Sequence, residues 1–371
     1  MLHFFCEKSI LQEAVSVCSH AVSSKGTSAV MEGLLIHAAH QVTISGFNYK
    51  TSIQKTFDAD VQQPGRVVLN ARILSDIVRR LPSDQVELSV DDRLMATIQG
   101  GASVFNIIAS DPDEFPEMPV VDETESFSLP ASLLKEMISG TIFAIGENEN
   151  KPIITGSLME LNNRTFRMVS VDGYRLAVRQ EEISAGAEET FSFVVPGEAL
   201  KDLYRILPDG EDKLCTVYPQ KKHVMFSFES VSMTTRLLEG EFLNWRSAIP
   251  AEQPINLRVN RAELISAVER VSLIISERLK NPVRCLFDGN SLKLSCITAL
   301  GRSYDEIAIP DCGTKIEIGF NNRYLLDALR ACQDEEIVLG LRSSLSSFTM
   351  RPVEGDRYVY LVLPVRLKAG E

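Results

Sequence analysis

The chain has 371 residues, a length that calls for two or three domains of roughly 100–200 residues each. Hydrophobic residues make up 44% and charged residues 24%, which excludes collagen-like, coiled-coil and disordered classes. A net charge of −12 excludes a wholly basic nucleic-acid coat but leaves room for a locally basic face.

The opening run Met1 to Cys6 reads as a short apolar strand that meets Glu7 and Lys8 too early for a signal peptide. No apolar run approaches the ~18 residues of a membrane span, so the chain is expected to act in the cytoplasm, without a membrane partner. Ser9 to His20 has the spacing of a first amphipathic helix. Arg66 to Leu81 then reads as a strand, an Asn70-Ala71 turn and a helix with Ile73, Leu74, Ile77 and Val78 on one face. Alternating pieces such as Val86 to Val90 fill the intervals, and the Pro-rich tract from Asp111 to Glu123 ends the first domain.

The pattern then repeats. Helices over Ala131 to Phe143 and Arg261 to Ile274 bring Leu134 and Leu264 into register with Leu11, 123 and 130 residues apart. Ser192 to Leu207 and Ile316 to Ala331 repeat the strand-turn-helix of Arg66 to Leu81, with starts 126 and 124 residues apart. Asn244 to Pro254 forms a second Pro-containing boundary. Chance periodicity of αβ elements would match an ordered, evenly spaced series poorly. The expected architecture is therefore α+β, with three similar domains over 1–121, 122–250 and 251–371, each with two helices and about eight strands.

Six helical windows total +6, leaving −18 for the rest of the chain. Helices facing a polyanion would show this split, as would the plain preference of Lys and Arg for helices. The seven cysteines are scattered and never spaced as CxxC. They read as small buried hydrophobes, with neither a disulfide framework nor a zinc site.

The five histidines have no partners at ligand or triad spacing, and no phosphate-binding glycine loop or nucleophile elbow occurs. No cofactor and no catalytic residue is expected. Glu147 to Lys151 reads as a solvated polar run, or alternatively as a metal or substrate loop. Asp172-Gly173 makes a tight turn that should throw Tyr174 and Arg175 outward, although an ordinary hairpin would read the same. Tyr358 to Leu367 reads as an apolar strand broken by Pro364, hence placed at a sheet edge or exit.

Taken with the threefold repeat, the segments SVDGYRLAVR (170–179), EGEFLNWRSAIP (239–250), IGFNNRYLLDALRA (318–331) and YLVLPVRL (360–367) resemble the bacterial DNA polymerase III beta subunit, the sliding-clamp family, along the whole chain. The resemblance implies a DNA clamp fold in a head-to-tail homodimeric ring around double-stranded DNA, bound without sequence preference. It implies a non-enzymatic processivity role, with the polymerase III alpha subunit, the clamp loader, and other DNA polymerases and repair proteins as partners.

Position by position, the resemblance puts Lys25, Arg72 and Arg205 toward DNA, and helix location adds Arg79, Arg80, Lys201 and Arg323. Pro152, Ile153, Gly197 and Glu198 stand where other members carry tyrosines or basic residues. The family's partner-peptide pocket maps to Ile154, Val171, Gly173, Tyr174, Arg175, Leu176, Leu243, Ser247, Ala248, Leu345, Leu363, Pro364, Val365 and Arg366. Leu243 and Ser247 replace a frequent Pro and Arg there, and Lys368 to Glu371 extend past the usual ending. Phe105, Ile107, Ile274 and Ile275 match the subunit contact, or are ordinary core residues. Rival readings are a hydrolase or transferase with its site on the Asp172 loop, and a paralogue that keeps fold and pocket but is no longer loaded onto DNA.

Overall fold

The computed structural model describes residues 1–23, 29–148, 150–184, 190–210, 212–276 and 281–367. The first third of the chain runs β1 (Leu2–Glu7), α1 (Lys8–Cys18), β2 (Gly33–Ala38), β3 (Val42–Phe47), β4 (Thr51–Phe57), β5 (Asp60–Gln63), β6 (Gly65–Asn70), α2 (Ala71–Arg80), β7 (Gln85–Val90), β8 (Met95–Gly100) and β9 (Ser103–Ile108). The second runs β10 (Phe127–Pro130), α3 (Ala131–Ser139), β11 (Gly156–Asn162), β12 (Thr165–Val171), β13 (Arg175–Glu182), β14 (Phe191–Pro196), α4 (Gly197–Ile206), β15 (Leu214–Pro219), β16 (His223–Phe228) and β17 (Val231–Arg236). The third runs β18 (Ile255–Asn260), α5 (Arg261–Ser272), β19 (Val283–Asp288), β20 (Ser291–Thr298), β21 (Gly301–Ala308), β22 (Lys315–Phe320), α6 (Asn322–Ala331), β23 (Glu336–Leu341), β24 (Phe348–Pro352) and β25 (Tyr358–Val362). The α+β repeat of strand-helix units expected from the sequence is present in each third.

Local chemistry starts these helices. The side chains of Asn70, Asn260 and Asn321 cap α2, α5 and α6, each accepting from a backbone N–H of the first turn at 2.9–3.3 Å. In the middle third Pro130 and Pro196 stand immediately before α3 and α4 instead. Helix α3 stops at Ser139, short of the expected Phe143, because Gly140 follows and the Thr141 hydroxyl donates back to the Met137 carbonyl at 2.8 Å.

Contacts group the chain into two compact units, 1–134 with 202–237, and 135–201 with 238–371. The first unit contains a five-stranded sheet ordered β5-β1-β7-β8-β9 and an eight-stranded sheet ordered β10-β15-β16-β17-β4-β3-β2-β6. Helices α1 and α2 pack on each other, with Leu11, Leu74 and Val78 wholly buried beside Phe4, Leu34, Ile44 and Ile53. The second unit contains an eight-stranded sheet ordered β14-β11-β12-β13-β25-β24-β23-β18 and a four-stranded sheet ordered β21-β20-β19-β22. There α5 packs on α6, over a core that includes Val268, Phe320, Leu329, Met350 and Tyr360.

Of the expected edge or exit, strand β25 shows the exit. It lies inside its sheet, between β13 and β24, and ends at Val362, so that Pro364, which has no N–H to donate, falls after the ladder has finished. Burial on both neighbours rather than an exposed rim explains its apolar sequence.

All seven cysteines are unpaired and buried. Burial pushes the Cys6, Cys18, Cys215, Cys285 and Cys332 thiols up to about 12, so thiolate is scarce at neutral pH. A thiol-reagent titration of native protein at pH 8 is expected to give close to none of the seven equivalents that appear once the chain is unfolded. Replacing Phe320, fully buried in the second unit's core, by Ala is expected to cost about 3–5 kcal/mol in denaturant unfolding, whereas Val120→Ala, at an exposed position, should cost little.

Candidate functional site

Antiparallel pairing of β13 with β25 (Arg175↔Val362 through Arg179↔Tyr358) sets the Asp172–Tyr174 turn beside the point where the C-terminal segment leaves the sheet. The turn is built by one carboxylate. Asp172 Oδ1 accepts from the Tyr174 and Arg175 N–H groups at 2.8 and 3.0 Å, and Gly173 takes φ +92°, a conformation that favours glycine. The Leu363 N–H donates to the Tyr174 carbonyl at 2.8 Å, and the Val365 N–H donates to the Gly319 carbonyl at 2.8 Å. These two bonds fasten the segment after β25 across the turn and then onto β22.

Tyr174 and Arg175 part company, contrary to the expected outward pair. Tyr174 is 61% exposed, its ring stacked 6.1 Å from that of Tyr324 on α6. The Arg175 side chain is only 9% exposed. It donates from Nε to Asp172 at 2.9 Å and from an Nη to Asp327 at 2.6 Å, and its guanidinium lies 4.4 Å from the centre of the Tyr324 ring. An arginine can be buried here because two carboxylates and an aromatic face replace its water. Burial and the Asp172 charge push the Tyr324 hydroxyl up, partly offset by Arg175, which keeps it an uncharged phenol.

Beneath the turn, Val171 and Leu176 are buried in a small cluster with Leu158, Val169, Val194, Trp245 and Leu361, and half-buried Ile154 packs against it. Ser247 and Ala248 lie on the 3₁₀ turn Trp245–Ala248, where the Ser247 hydroxyl donates to the Asn244 carbonyl at 2.7 Å. Leu243, Leu345, Leu363 and Val365 are large apolar side chains left exposed, and Arg366 is exposed next to them in sequence. Hydrogen bonds and packing thus join Val171, Gly173, Tyr174, Arg175, Leu176 and Leu363 directly, Val365 is tied instead to Gly319 on β22, and Leu243 and Leu345 project from separate loops. Tyr324, Asp327 and Gly319 were not read from the sequence. The first two are three residues apart on one face of α6, but nothing local indicates that this face meets a hairpin some 150 residues earlier.

On the helices, Arg72, Arg79 and Arg80 are exposed on α2, Lys201 and Arg205 on α4, and Arg323 on α6. Several are already compensated. Asp76 accepts from Arg79 and Arg80 at 2.6 and 2.9 Å, and Asp202 accepts from Arg205 at 3.2 Å. The Arg80 hydrogen bond, with the charges of Arg79 and Arg72, holds the Asp76 carboxyl below its usual range. Pro152 and Glu198 are exposed, Ile153 is half-buried and Gly197 is buried. Lys25 and residues 368–371 lie outside the described residues.

At the sheet edges, Phe105 and Ile107 on β9 share a face with buried Ile98 and Ala96, and Ile108 on the opposite face is 82% exposed. Ile274 and Ile275 follow α5, half-buried, beside Leu273, which is 84% exposed. Among the described residues no group of His, Cys, Asp and Glu could hold a metal, and no helix is long and apolar enough to cross a membrane.

Three family models cover the chain in order: DNA polymerase III beta subunit N-terminal domain over 2–119, central domain over 128–244 and C-terminal domain over 246–366. The beta sliding clamp of Halalkalibacterium halodurans is 32% identical, with 98% of this chain and 100% of that protein aligned. The beta sliding clamp of Bacillus subtilis is 29% identical, with 98% and 100% aligned. In structure, the chain superposes on a putative DNA polymerase III beta subunit from Eubacterium rectale with a TM-score of 0.95, 31% identity and 99% and 100% coverage. The sliding clamp of Bacillus subtilis gives a TM-score of 0.95 at 29% identity, with the same coverage.

The folded class is thus a clamp built from repeated α+β units. The chain belongs to the DNA polymerase III beta subunit family, the sliding clamps, which are processivity factors of the polymerase and not catalysts.

Because Arg175 rests on two carboxylates, Asp327→Ala should leave a buried guanidinium half-paired and cost about 1–3 kcal/mol in denaturant unfolding. Asp327→Asn, which keeps a hydrogen-bond acceptor, should cost less in the same measurement.

Proposed function

We propose that this chain forms a head-to-tail homodimeric ring around double-stranded DNA in the cytoplasm, and that the apolar surface around the Asp172–Tyr174 turn takes peptides from its partners. The family supplies the clamp role. The observation that carries the groove reading is the fastening of the Leu363–Val365 segment across the turn, with the side chains of Leu363, Val365 and Tyr174 left exposed. Exposed Leu243, Leu345, Leu363 and Val365 would desolvate the apolar end of a bound peptide, and the turn's buried arginine keeps their shelf from moving. The polymerase III alpha subunit, the clamp loader, and other polymerases and repair proteins are the partners this reading assigns to the groove.

The proposed ring joint uses two free strand edges. Strand β9 ends the five-stranded sheet and β21 ends the four-stranded one, and both carry exposed apolar side chains: Val104, Phe105 and Ile108 on the first, Tyr304 on the second with Leu300 beside it. An uncovered apolar edge invites pairing with another chain, and two unlike edges give a heterologous contact that can close after two copies. Ile274, Ile275 and Leu273 would flank the second edge. In this ring Arg72, Lys201 and Arg323, with Lys25, Arg79, Arg80 and Arg205, would attract phosphates without reading bases. Domains over 1–121, 122–250 and 251–371 are the units proposed for its six-part wall.

Two measurements test the reading. Val104→Lys with Ile108→Lys should halve the mass seen by light scattering while leaving the monomer folded, and a persisting dimer would remove β9 from the joint. Truncation after Val362 should weaken a short Gln- and Leu/Phe-containing clamp peptide by at least about tenfold with the dimer intact. Unchanged affinity would place the groove elsewhere.

A further inference from the structure

The turn that frames the proposed groove has a second copy in the first unit, between β3 and β4. Asn48 Oδ1 accepts from the Lys50 and Thr51 N–H groups at 3.1 and 2.8 Å, as Asp172 does from Tyr174 and Arg175. The Asn48 N–H donates to the Thr51 carbonyl at 3.2 Å, and the Asp172 N–H to the Arg175 carbonyl at 3.3 Å. Tyr49 takes φ +67° where Gly173 takes +92°. The Arg236 N–H donates to the Lys50 carbonyl at 2.9 Å, the counterpart of the Leu363 bond to Tyr174. Strand β17 pairs with β4 (Thr235↔Thr51) as β25 pairs with β13 (Val362↔Arg175). The correspondence therefore aligns Lys50 with Tyr174 and Arg236 with Leu363.

The same frame carries the opposite chemistry. Exposed Lys50 and Arg236 stand where the other copy exposes an aromatic ring and a leucine, and the acid Asp172 has become neutral Asn48. The buried arginine is replaced by Thr51, whose hydroxyl lies 3.1 Å from that of Thr235. A neighbouring turn adds exposed Lys221 and Lys222, tied in by the Leu237 N–H bond to the Lys222 carbonyl at 2.9 Å. Residues 47–52, 220–224 and 233–237 contain these four cations and no carboxylate of their own, and exposed Asp122 borders the second segment, where the Gln220 side chain donates to the Asp122 carbonyl at 2.9 Å. A tyrosine ring, that of Tyr49, stands 65% exposed among them, 5.6 Å from the ring of Phe47. Within this group His223 pairs across the strands with Arg236, and burial, then the charges of Arg236 and Lys222, pull its imidazole below its usual range.

We infer that this second frame is a docking site for a short acidic segment of a partner protein, its carboxylates meeting Lys50 and Lys222 and its apolar atoms resting on Tyr49. Lys50 and Lys222 leave the ends of β4 and β16, with β17 between them, and strands spaced about 4.8 Å apart put the two cations ~10 Å from each other. That is the reach of three or four extended residues, and it favours a short peptide over a long polyanion that would need cations continued along its path. The chain as a whole is acidic, so away from this patch and the basic helix faces its surface repels such a segment. The frame's geometry does not depend on the groove reading above.

The test uses the intact protein and a labelled peptide rich in Asp and Glu, followed by fluorescence anisotropy. Binding is expected at low salt, weakened as salt rises, reduced about tenfold or more by Lys50→Glu with Lys222→Glu, and reduced less by the corresponding Ala pair. Unlabelled Gln- and Leu/Phe-containing clamp peptide should not displace it. In NMR titrations the His223 midpoint should rise when the acidic peptide is bound, because carboxylates favour the imidazolium. No binding, binding indifferent to both variant pairs, or displacement by the clamp peptide would overturn the inference. So would duplex or single-stranded DNA that loses affinity in the same variants while the acidic peptide fails to bind. Failure of the clamp peptide to bind anywhere, with acidic-peptide binding intact, would count against the groove alone.

Discussion

The antiparallel pairing of strands far apart in sequence is the constraint on which the described structure depends. Within the second unit, β13 and β25 meet although about 180 residues separate them, and within the first, β4 and β17 meet across a similar distance. Each eight-stranded sheet is continuous only because of one such pair. Ladder hydrogen bonds fix register to the residue, and a slip of one would turn every side chain to the other face. The turn at the end of each ladder is thereby placed beside the exit of a strand from a later third of the chain.

What surrounds that junction then follows from ordinary side-chain chemistry. At the β12–β13 turn, a carboxylate builds the loop, a buried arginine ties it to α6 through a second carboxylate, and the aromatic and aliphatic side chains that remain are left facing out. At the β3–β4 turn, an amide builds the same loop, a pair of threonine hydroxyls occupies the interior, and lysine and arginine face out. One backbone solution has thus been furnished twice. The frame is conserved in geometry within the chain, while the ligand chemistry is free to differ.

Charge shows the same separation between a sum and its placement. The helical windows are basic in total, yet Asp76 and Asp202 bind three of the arginines on α2 and α4. An exposed pair of this kind contributes little to stability and softens the field that a polyanion would meet. A clamp that slides needs attraction without a fixed register, and partly compensated, exposed side chains suit that requirement.

The amino-acid sequence by itself determined the repeat, the α+β class, the position of most helices and the buried state of the cysteines, because hydrophobic spacing, Asn and Pro at helix starts, and the lack of paired spacings are local signals. It also carried the turn at Asp172, since Asp-Gly is a local instruction. Tertiary structure alone decided that Arg175 turns inward, since Asp327 and Tyr324 reach it only when α6 is packed beside the hairpin. It alone decided that β25 is an interior strand, because a proline two residues past a ladder and one inside it look alike until the ladder's end is known. The second basic frame was equally hidden: Lys50, Lys222 and Arg236 belong to three separate segments, and only strand pairing brings them to one end of one sheet.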